Sequence, residues 1–298
     1  MEKPNWEWYR SFLLVYQKGS LSAAARASGV SQPTVGRHID NLEAALRLKL
    51  FTRSVDGFAP TEAAHELQPY ASNLAATAAA LRRVASSQGA GVRGTVRLTV
   101  ADVIGIEVLP PILAALREQH PELKIELVLS DKADDLLHRE ADIAVRMFRP
   151  VQEALIATRV GAIELGLHAH KRYLRAHGTP KSLADLARHS TIGFDREHPV
   201  LRTMPPQLKR LSRDDVTFRT DSNLAQLAAI RAGIGIGVCQ NALARRDKHL
   251  VRVLEKEFSM TLDTWVAMHE DLRTSARCMA TFTALVAGMQ AYVAGEGG

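Results

Sequence analysis

The sequence predicts an α/β protein with three parts: an N-terminal winged helix-turn-helix, a long linker helix and a larger C-terminal α/β domain. Three observations carry this prediction. Residues 21–46 read as a short helix, a tight turn and a longer helix; residues 64–85 hold an unbroken Leu/Ala repeat; and strand and helix patterns alternate from residue 95 onward. The predicted boundaries are 1–60, 61–88 and 89–298.

Composition is that of an ordinary globular protein. The chain has 298 residues, of which 46% are hydrophobic and 23% charged, and 38 basic against 32 acidic residues give a net charge of +6. No apolar run is long enough to span a bilayer and the N-terminus lacks a secretory signal, so we expect a cytoplasmic protein with no membrane partner. The two cysteines have neither metal nor disulfide spacing, and no metal or cofactor is predicted.

The first helix is predicted to run from its cap Asn5 to about Lys18. The second helix-turn-helix segment is predicted to begin at Ser31, because Gly29 can end the helix before it and Pro33 is tolerated in a first turn. Its apolar positions step by four, three and four, which gives one buried stripe. These positions are Val35, Ile39, Leu42 and Leu46.

The opposite face of this helix is polar and carries side chains able to read base edges or hold phosphates. A helix of this kind after a short alanine-rich partner fits a helix-turn-helix, although a helical bundle with a polar surface helix is the alternative that periodicity alone leaves open. The predicted DNA-binding residues are Ser31, Gln32, Pro33, Thr34, Arg37, His38 and Arg53.

The segment after the recognition helix is predicted to form the wing. It turns at Asp56-Gly57, a strong signal for a two-residue hairpin. Arg37 on the helix and Arg53 at the start of the wing are the candidates for phosphate contacts, which position a domain without reading sequence. The alternative for Arg53 is an ion pair with a carboxylate such as that of Glu43.

Residue identity makes the interpretation more specific. The run AAARASGVSQPTVGRHIDNLEAAL, followed by LFTR, resembles the N-terminal signature of the LysR-type transcriptional regulators. Three positions depart from that pattern: Gly36 replaces a usual serine, and Arg47 and Ala64 replace glycines. A glycine inside a helix costs about 1 kcal/mol relative to alanine and removes a contact, so the resemblance does not supply the operator sequence.

The linker helix is predicted to form a dimer. Its spacing alternates three and four residues from Ala64 to Ala85, and a seam of this kind needs a partner helix. The family resemblance also implies a dimer here, while packing on the C-terminal domain of the same chain is the alternative. The predicted dimerisation residues are Leu67, Ala71, Leu74, Ala78 and Leu81.

The remainder of the chain is predicted to form mostly parallel sheets covered on both faces. The stretches GTVRLTV, LPPILAALREQHPELKIEL, ADIAVRM, RAGIGIGV and LVRVL resemble the LysR effector-binding domain. That resemblance implies a fold similar to periplasmic binding proteins, with two subdomains joined by two crossovers and a ligand cleft between them. Subdomain I is expected to take about 92–163 plus 269–296, and subdomain II about 164–268.

Effector-binding residues are predicted at the carboxyl ends of the strands, where open α/β sheets bind ligands. Asp102 and Ser222 have an alternative use as caps of the helices that follow them. An ionised Asp102 in the cleft predicts a neutral or cationic effector, whereas Arg146 would attract an anion. The predicted set is Ala101, Asp102, Val103, Ser130, Arg146, Met147, Phe148, Phe194, Ser222, Val238 and Cys239.

The function expected from these observations is that of a sequence-specific DNA-binding transcriptional regulator modulated by a small-molecule effector. Its expected partners are duplex DNA, a second copy in a homodimer or homotetramer, and RNA polymerase. The alternative is an effector-independent regulator that uses its C-terminal domain only for oligomerisation. An enzyme is not expected, because the common catalytic motifs are missing. His168 and His170 on one strand hint at a metal only weakly, and Cys239 hints weakly at redox sensing.

Overall fold

The computed structural model describes residues 3–54, 57–85, 91–130, 141–150, 154–196 and 216–295, with the backbone alone for Arg53, Ser54 and Val84. The chain divides into two compact units. The first contains the N-terminal helices, the wing and the linker helix. The second begins at Gly89 and contains the α/β fold.

Three helices, a two-stranded wing and a long helix build the N-terminal unit. They are α1 (Trp6–Lys18), α2 (Leu21–Ser28), α3 (Gln32–Leu46), β1 (Phe51–Ser54), β2 (Gly57–Pro60) and α4 (Glu62–Ala85). The Asn5 side chain accepts the N–H of Trp8 at 3.2 Å, and α1 and α2 end at glycines in the left-handed conformation. The predicted bounds of α1, the end of α2 and the start of α3 at Ser31 are therefore confirmed.

The core of the N-terminal unit lies where α1, α3 and β1 meet. Phe12, Val35 and Leu42 have no exposed surface, and the ring of Phe51 lies 5.7 Å from that of Phe12. The predicted hairpin is confirmed by antiparallel pairing of β1 and β2. Residues 55 and 56 lie outside the described residues, and Gly57 pairs with Ser54, so this glycine belongs to the strand rather than to the turn.

The first part of the α/β unit contains β3 (Gly94–Val100), α5 (Asp102–Glu107), α6 (Leu109–Gln119), β4 (Leu123–Leu129), β5 (Ile143–Arg146), β6 (Leu155–His170) and α7 (Lys171–His177). Strands β3, β4 and β5 pair in parallel, as predicted. Helix α5 begins at Asp102 itself, and its six residues are too few for a helical period to indicate its bounds.

The second part begins with a 3-10 helix (Leu183–Arg188). It continues with β7 (Ile192–Gly193), β8 (Phe218–Arg219), α8 (Asn223–Arg231), β9 (Ile236–Gln240), α9 (Asn241–Arg246), β10 (Leu250–Val253), β11 (Met260–His269), a second 3-10 helix (Glu270–Leu272) and α10 (Ala276–Ala294). Strands β7 and β8 are only two residues long each.

The prediction of mostly parallel sheets is wrong for the centre of this unit. The main sheet has the order β10-β6-β11-β5-β3-β4, with β9 also paired to β6, and every pair that involves β6 or β11 is antiparallel. These two long strands run in opposite directions and lie where the family resemblance implies the two crossovers. Their pairing shifts register between Thr264 and Trp265, opposite Gly161 at φ 136°.

Within the described residues, each helix is too short or too polar to cross a lipid bilayer.

Candidate nucleic-acid interface and effector cleft

The recognition helix α3 is fixed at its start by Ser31. The Ser31 hydroxyl accepts the N–H of Thr34 at 3.3 Å and lies 2.8 Å from the Thr34 hydroxyl, while Pro33 occupies the first turn. Ser31, Gln32 and Pro33 are exposed and Thr34 is half-buried. The start of α3 therefore presents short polar side chains to solvent from a capped, ordered turn.

The middle of α3 separates into a buried and an open face. Val35 and Ile39 are buried, whereas Arg37 and Asn41 are exposed. The open face thus offers a guanidinium and an amide one helical turn apart, two groups that make bidentate contacts with guanine and adenine respectively.

His38, a member of the predicted DNA-binding set, contacts helix α1 of its own chain. Its Nδ1 lies 2.8 Å from the hydroxyl of Ser11, a buried residue of α1, and the imidazole is half-buried. This bond orients α3 against α1. We therefore regard His38 first as a positioning residue for the recognition helix.

Glu43 joins the recognition helix to the wing. Its Oε1 accepts the main-chain N–H groups of Leu50 at 2.8 Å and Phe51 at 3.2 Å, and its Oε2 pairs with the Lys49 ammonium at 2.5 Å. Burial alone would raise the pKa of Glu43, but the bonds from Lys49, Leu50 and Phe51 outweigh it and leave that pKa lowered. Sequence reasoning gave Glu43 no such role, since its partners lie six to eight residues away.

Arg53 lies on β1, where its backbone pairs with Phe58. Its side chain is outside the described residues, so the phosphate contact and the alternative pairing with Glu43 remain predictions.

The predicted seam of the linker helix α4 is buried in the first half of the helix and more exposed in the second half. Ala71 is 1% exposed and Leu67 packs with it in the core of the N-terminal unit, because this half of α4 contacts α1. Leu74 and Leu81 are 47% and 67% exposed, and Ala78 is half-buried. Ala71 is therefore removed from the predicted dimer surface, since it is already enclosed in its own chain.

At the carboxyl end of β3, Ala101 occupies the cap position of α5 and Asp102 is the first helical residue. The Asp102 carboxylate accepts the N–H of Val103 at 2.7 Å, so it satisfies an amide in the first turn. Ser130 follows β4, and its N–H donates to the carbonyl oxygen of Val100. Asp102, Val103 and Ser130 are half-buried at this edge of the sheet.

Arg146 does not present a free guanidinium to a ligand. It is 4% exposed, and its side chain donates to the Thr99 hydroxyl at 2.9 Å and to the Val145 carbonyl oxygen at 3.1 Å. The expectation that Arg146 would attract an anion is corrected, because β5 is enclosed on both faces. Met147 accepts from the Thr264 hydroxyl, and Phe148 is 42% exposed.

Subdomain II contributes the other predicted cleft residues. Ser222 is exposed and caps α8, accepting the N–H of Ala225 at 3.2 Å, which is the alternative role considered for it. Phe194 and Val238 are half-buried. Asp221 accepts the N–H of Asp195 at 3.1 Å and so ties the segments that follow β7 and β8 together.

Cys239 is a core residue. It is 8% exposed, and burial raises the pKa of its thiol to about 12. A reactive cysteine needs an accessible thiolate, and Cys278 is also buried, so the redox-sensing alternative has no support at these positions.

The two histidines of β6 have separate roles. His168 is 2% exposed, and burial lowers its pKa to about 4, so its ring is neutral, with Nδ1 3.0 Å from the Gly166 carbonyl oxygen. His170 caps α7 by accepting the N–H of Arg172, and its ring stacks on that of His249. Within the described ranges, no three His, Cys, Asp or Glu side chains are grouped to hold a metal ion.

A winged helix-turn-helix with an open recognition face, joined by a long helix to a two-subdomain α/β unit, defines a DNA-binding regulatory protein with a ligand-binding domain. Comparison with known families agrees with this class. Residues 6–65 match the bacterial regulatory helix-turn-helix proteins of the lysR family, and residues 89–290 match the LysR substrate binding domain. The chain therefore belongs to the LysR family, whose members are transcriptional regulators and not enzymes.

Individual relatives share about a quarter of their aligned residues with this chain. The chain is 26% identical over 298 residues to the probable HTH-type transcriptional regulator LtrA of Klebsiella pneumoniae, covering 96% of this chain and 95% of that protein. It is 28% identical over 189 residues to an HTH-type transcriptional regulator of Xanthomonas campestris pv. campestris (strain 8004), covering 63% of this chain and 55% of that protein. The full-length CbnR structure in complex with its target DNA superimposes with a TM-score of 0.65 at 20% identity, covering 96% of this chain and 99% of that one.

Proposed function

We propose that this regulator reads duplex DNA through Gln32, Thr34 and Arg37 on the open face of α3, with Arg53 of the wing on the phosphate backbone. The observation that carries the proposal is the exposure of Gln32 and Arg37 on a helix that Ser31 and Glu43 hold in place from both ends. A fixed helix with free polar side chains can enter a major groove without first paying an ordering cost.

We propose that two copies associate through the C-terminal half of α4. Leu74 and Leu81 are seven residues apart and exposed, which is the spacing of one seam position in a two-stranded coiled coil. Pairing would place two recognition helices on one duplex and favour an inverted-repeat operator. Assembly of dimers into tetramers through the α/β units, contact with RNA polymerase and a cytoplasmic location are parts of the same proposal.

The α/β unit is proposed to bind a small neutral or cationic effector at the ends of β3 and β4. Asp102 supplies a carboxylate there, and the guanidinium of Arg146 is already committed to Thr99 and Val145. Thermal-shift screening of small amines, sugars and organic acids tests the class of effector. Stabilisation by organic acids alone, retained in Asp102→Ser, would refute a role of Asp102 in selecting the ligand.

A second candidate is an effector-independent regulator whose α/β unit serves oligomerisation. It is favoured by the use of Asp102 and Ser222 within their own helices. Footprinting on DNA that flanks the coding region, repeated with candidate metabolites, separates the two candidates. Protection that shifts with a metabolite supports the first, and protection that no metabolite changes supports the second. Absence of protection on any duplex at low salt would refute both.

A further inference from the structure

Two helices that begin at the proposed cleft are joined to each other at their far ends. Helix α5 of subdomain I begins at Asp102 and ends at Glu107, and α8 of subdomain II begins after Ser222 and ends at Arg231. The two helices pack against one another. A contact between their last residues therefore lies about one helix length from the residues expected to touch a ligand.

That contact is a bidentate ion pair. Arg231 Nη1 lies 2.6 Å from Glu107 Oε1, and Arg231 Nη2 lies 2.9 Å from Glu107 Oε2. The side chains are 36% and 23% exposed, so the pair is partly shielded from water. Two parallel N–H···O bonds fix the relative orientation of the groups as well as their distance. The hydrogen bonds with Arg231 hold the pKa of Glu107 below its usual range, so the carboxylate is ionised at neutral pH.

Arg246 at the end of α9 adds a second link from subdomain II. Its Nη1 donates to the main-chain carbonyl oxygen of Glu107 at 3.0 Å, and its guanidinium lies 5.3 Å from the centre of the Tyr292 ring. Tyr292 is on α10 in subdomain I, and its hydroxyl donates to Gln240 at 2.5 Å. Three helix ends thus meet at Glu107, and both arginines come from the opposite subdomain.

Glu107 lies at the junction of two helices, because α5 ends at this residue and α6 begins at Leu109. The C-terminal end of a helix carries partial negative charge, so an acidic side chain is unfavourable there and a basic one is favourable. Helices α8 and α9 follow the rule with Arg231 and Arg246, whereas α5 ends on a glutamate. Among the described residues, Arg231 donates to this carboxylate and Arg246 donates to the Glu107 carbonyl oxygen, and both arginines lie in the region predicted as the other subdomain.

We propose that Glu107, Arg231 and Arg246 form a latch that holds the two subdomains in the closed arrangement. The proposal rests on the effector-binding function proposed above and adds its regulation. For a ligand that binds only the closed cleft, the apparent dissociation constant equals the intrinsic dissociation constant divided by the fraction of molecules that are already closed. The latch therefore sets how much of the closing free energy the ligand itself must supply.

The test measures the distance between subdomains in the full chain, without DNA or ligand. Spin labels are attached to cysteines placed at the exposed positions Glu118 and Arg188, and labelled chains are diluted with unlabelled chains to suppress contacts between copies. The native cysteines are buried. In Glu107→Gln we expect the pulsed-EPR distance distribution to broaden and move to longer distances. The charge-reversed variant E107R/R231E should restore most of the original distribution.

Glu126→Gln is the matched control, because it removes a 3.0 Å ion pair with Arg97 that lies wholly inside subdomain I. The control should leave the distribution unchanged. An unchanged distribution in folded Glu107→Gln, or an equal broadening in Glu126→Gln, would overturn the latch. If Glu107→Gln does not fold, Arg231→Gln is judged by the same two criteria. Since no duplex is used, failure of the latch leaves DNA binding standing, and a chain indifferent to DNA can still show the latch.

Discussion

The carboxylate of Glu43 accepts the main-chain N–H of Leu50 at 2.8 Å, although these residues belong to the recognition helix and to the segment that enters the wing. Leu50 has no exposed surface, and Glu43 is 7% exposed. A charged side chain near the C-terminal end of α3 thus accepts from two main-chain donors at the start of β1. It also fixes where β1 begins relative to the face proposed to meet DNA.

Replacing Glu43 by alanine should destabilise the N-terminal unit by about 3 kcal/mol, because two enclosed N–H groups would lose their acceptor. Hydrogen exchange of the Leu50 and Phe51 amides should become faster by the factor that corresponds to this loss of stability. Exchange in the α/β unit should not change. Glu7→Ala, which removes an exposed partner of Arg10 on α1, is the control and should change little. Equal exchange rates in Glu43→Ala and wild type would show that the wing is held by other contacts.

The same carboxylate makes a pH prediction. Since the pKa of Glu43 is lower in the folded chain, its contribution is complete above the usual range of a glutamic acid and is lost as pH falls through the lowered value. The amides of Leu50 and Phe51 should therefore lose protection in acid, below about pH 4. In Glu43→Gln this acid-dependent loss should be absent. If protection of these amides falls with pH as steeply in Glu43→Gln as in wild type, Glu43 is not the group that titrates.

Arg47 ends α3 in the left-handed conformation at φ 57°, with its N–H bonded to the Glu43 carbonyl oxygen. A non-glycine residue costs about 1 kcal/mol in this conformation, so Arg47→Gly should stabilise the N-terminal unit by up to about that amount. Urea unfolding followed by the fluorescence of Trp6 and Trp8 measures the change. Ala44→Gly, on the exposed face of the same helix, should destabilise by about 1 kcal/mol. Destabilisation by both substitutions would refute the strain argument.

Arg37→Ala should weaken binding to a footprinted duplex at least tenfold, as expected for loss of about 1–3 kcal/mol from one base or phosphate contact. The salt dependence distinguishes the two kinds of contact. A phosphate contact predicts a slope of log K against log salt that is smaller by about one, and a base contact predicts an unchanged slope with relaxed sequence preference. Arg10→Ala on α1 is the control for a simple loss of charge. Equal affinities of wild type and Arg37→Ala would remove α3 from the interface.

Leu81→Glu should weaken self-association at least tenfold, because it would place a carboxylate on each partner at the proposed seam of α4. Sedimentation velocity over a concentration series measures the effect. Leu48→Glu is the control, because Leu48 is also exposed, at 47%, but lies outside α4. This variant should associate like wild type. If both variants associate as wild type does, the dimer uses another surface.

His168 predicts a loss of stability of the α/β unit in mild acid. Its pKa is about 4 in the folded chain, against an ordinary value of 6.5, so the unfolded chain binds the extra proton between these values. Stability should fall by about 2 kcal/mol between pH 7 and pH 5 and continue to fall toward pH 4. His168→Gln should show a shallower decline by urea unfolding. Parallel declines in the two proteins would mean that His168 titrates normally.

Local signals predicted the N-terminal unit well. Caps, helix-ending glycines and apolar steps are set by residues within one turn, and the structure places the helix ends at Asn5, Gly29 and Ser31 as expected. The sequence does not indicate the full length of β6, because its first half carries Thr158, Arg159 and Gly161, and this half pairs with β11, about 100 residues away in sequence.

The predicted sites were limited by contacts distant in sequence. The enclosure of Arg146 depends on Thr99, which lies 47 residues away, and the Glu107–Arg231 pair spans 124 residues. No spacing rule within one segment can reveal such partners. In α4 the repeat predicted one apolar face, but an unbroken repeat does not tell which of its residues pack within their own chain, as Leu67 and Ala71 do.

The two halves of α4 differ in burial, and the consequence concerns the recognition helix. Its first half packs in the core shared with α1 through Ala64 and Ala71, so a movement of this half would also move the core on which the recognition helix lies. In a paired molecule, the crossing angle set by Leu74 and Leu81 would influence the distance between the two recognition helices. A change of a few degrees at the crossing would alter which operator spacings the protein can span.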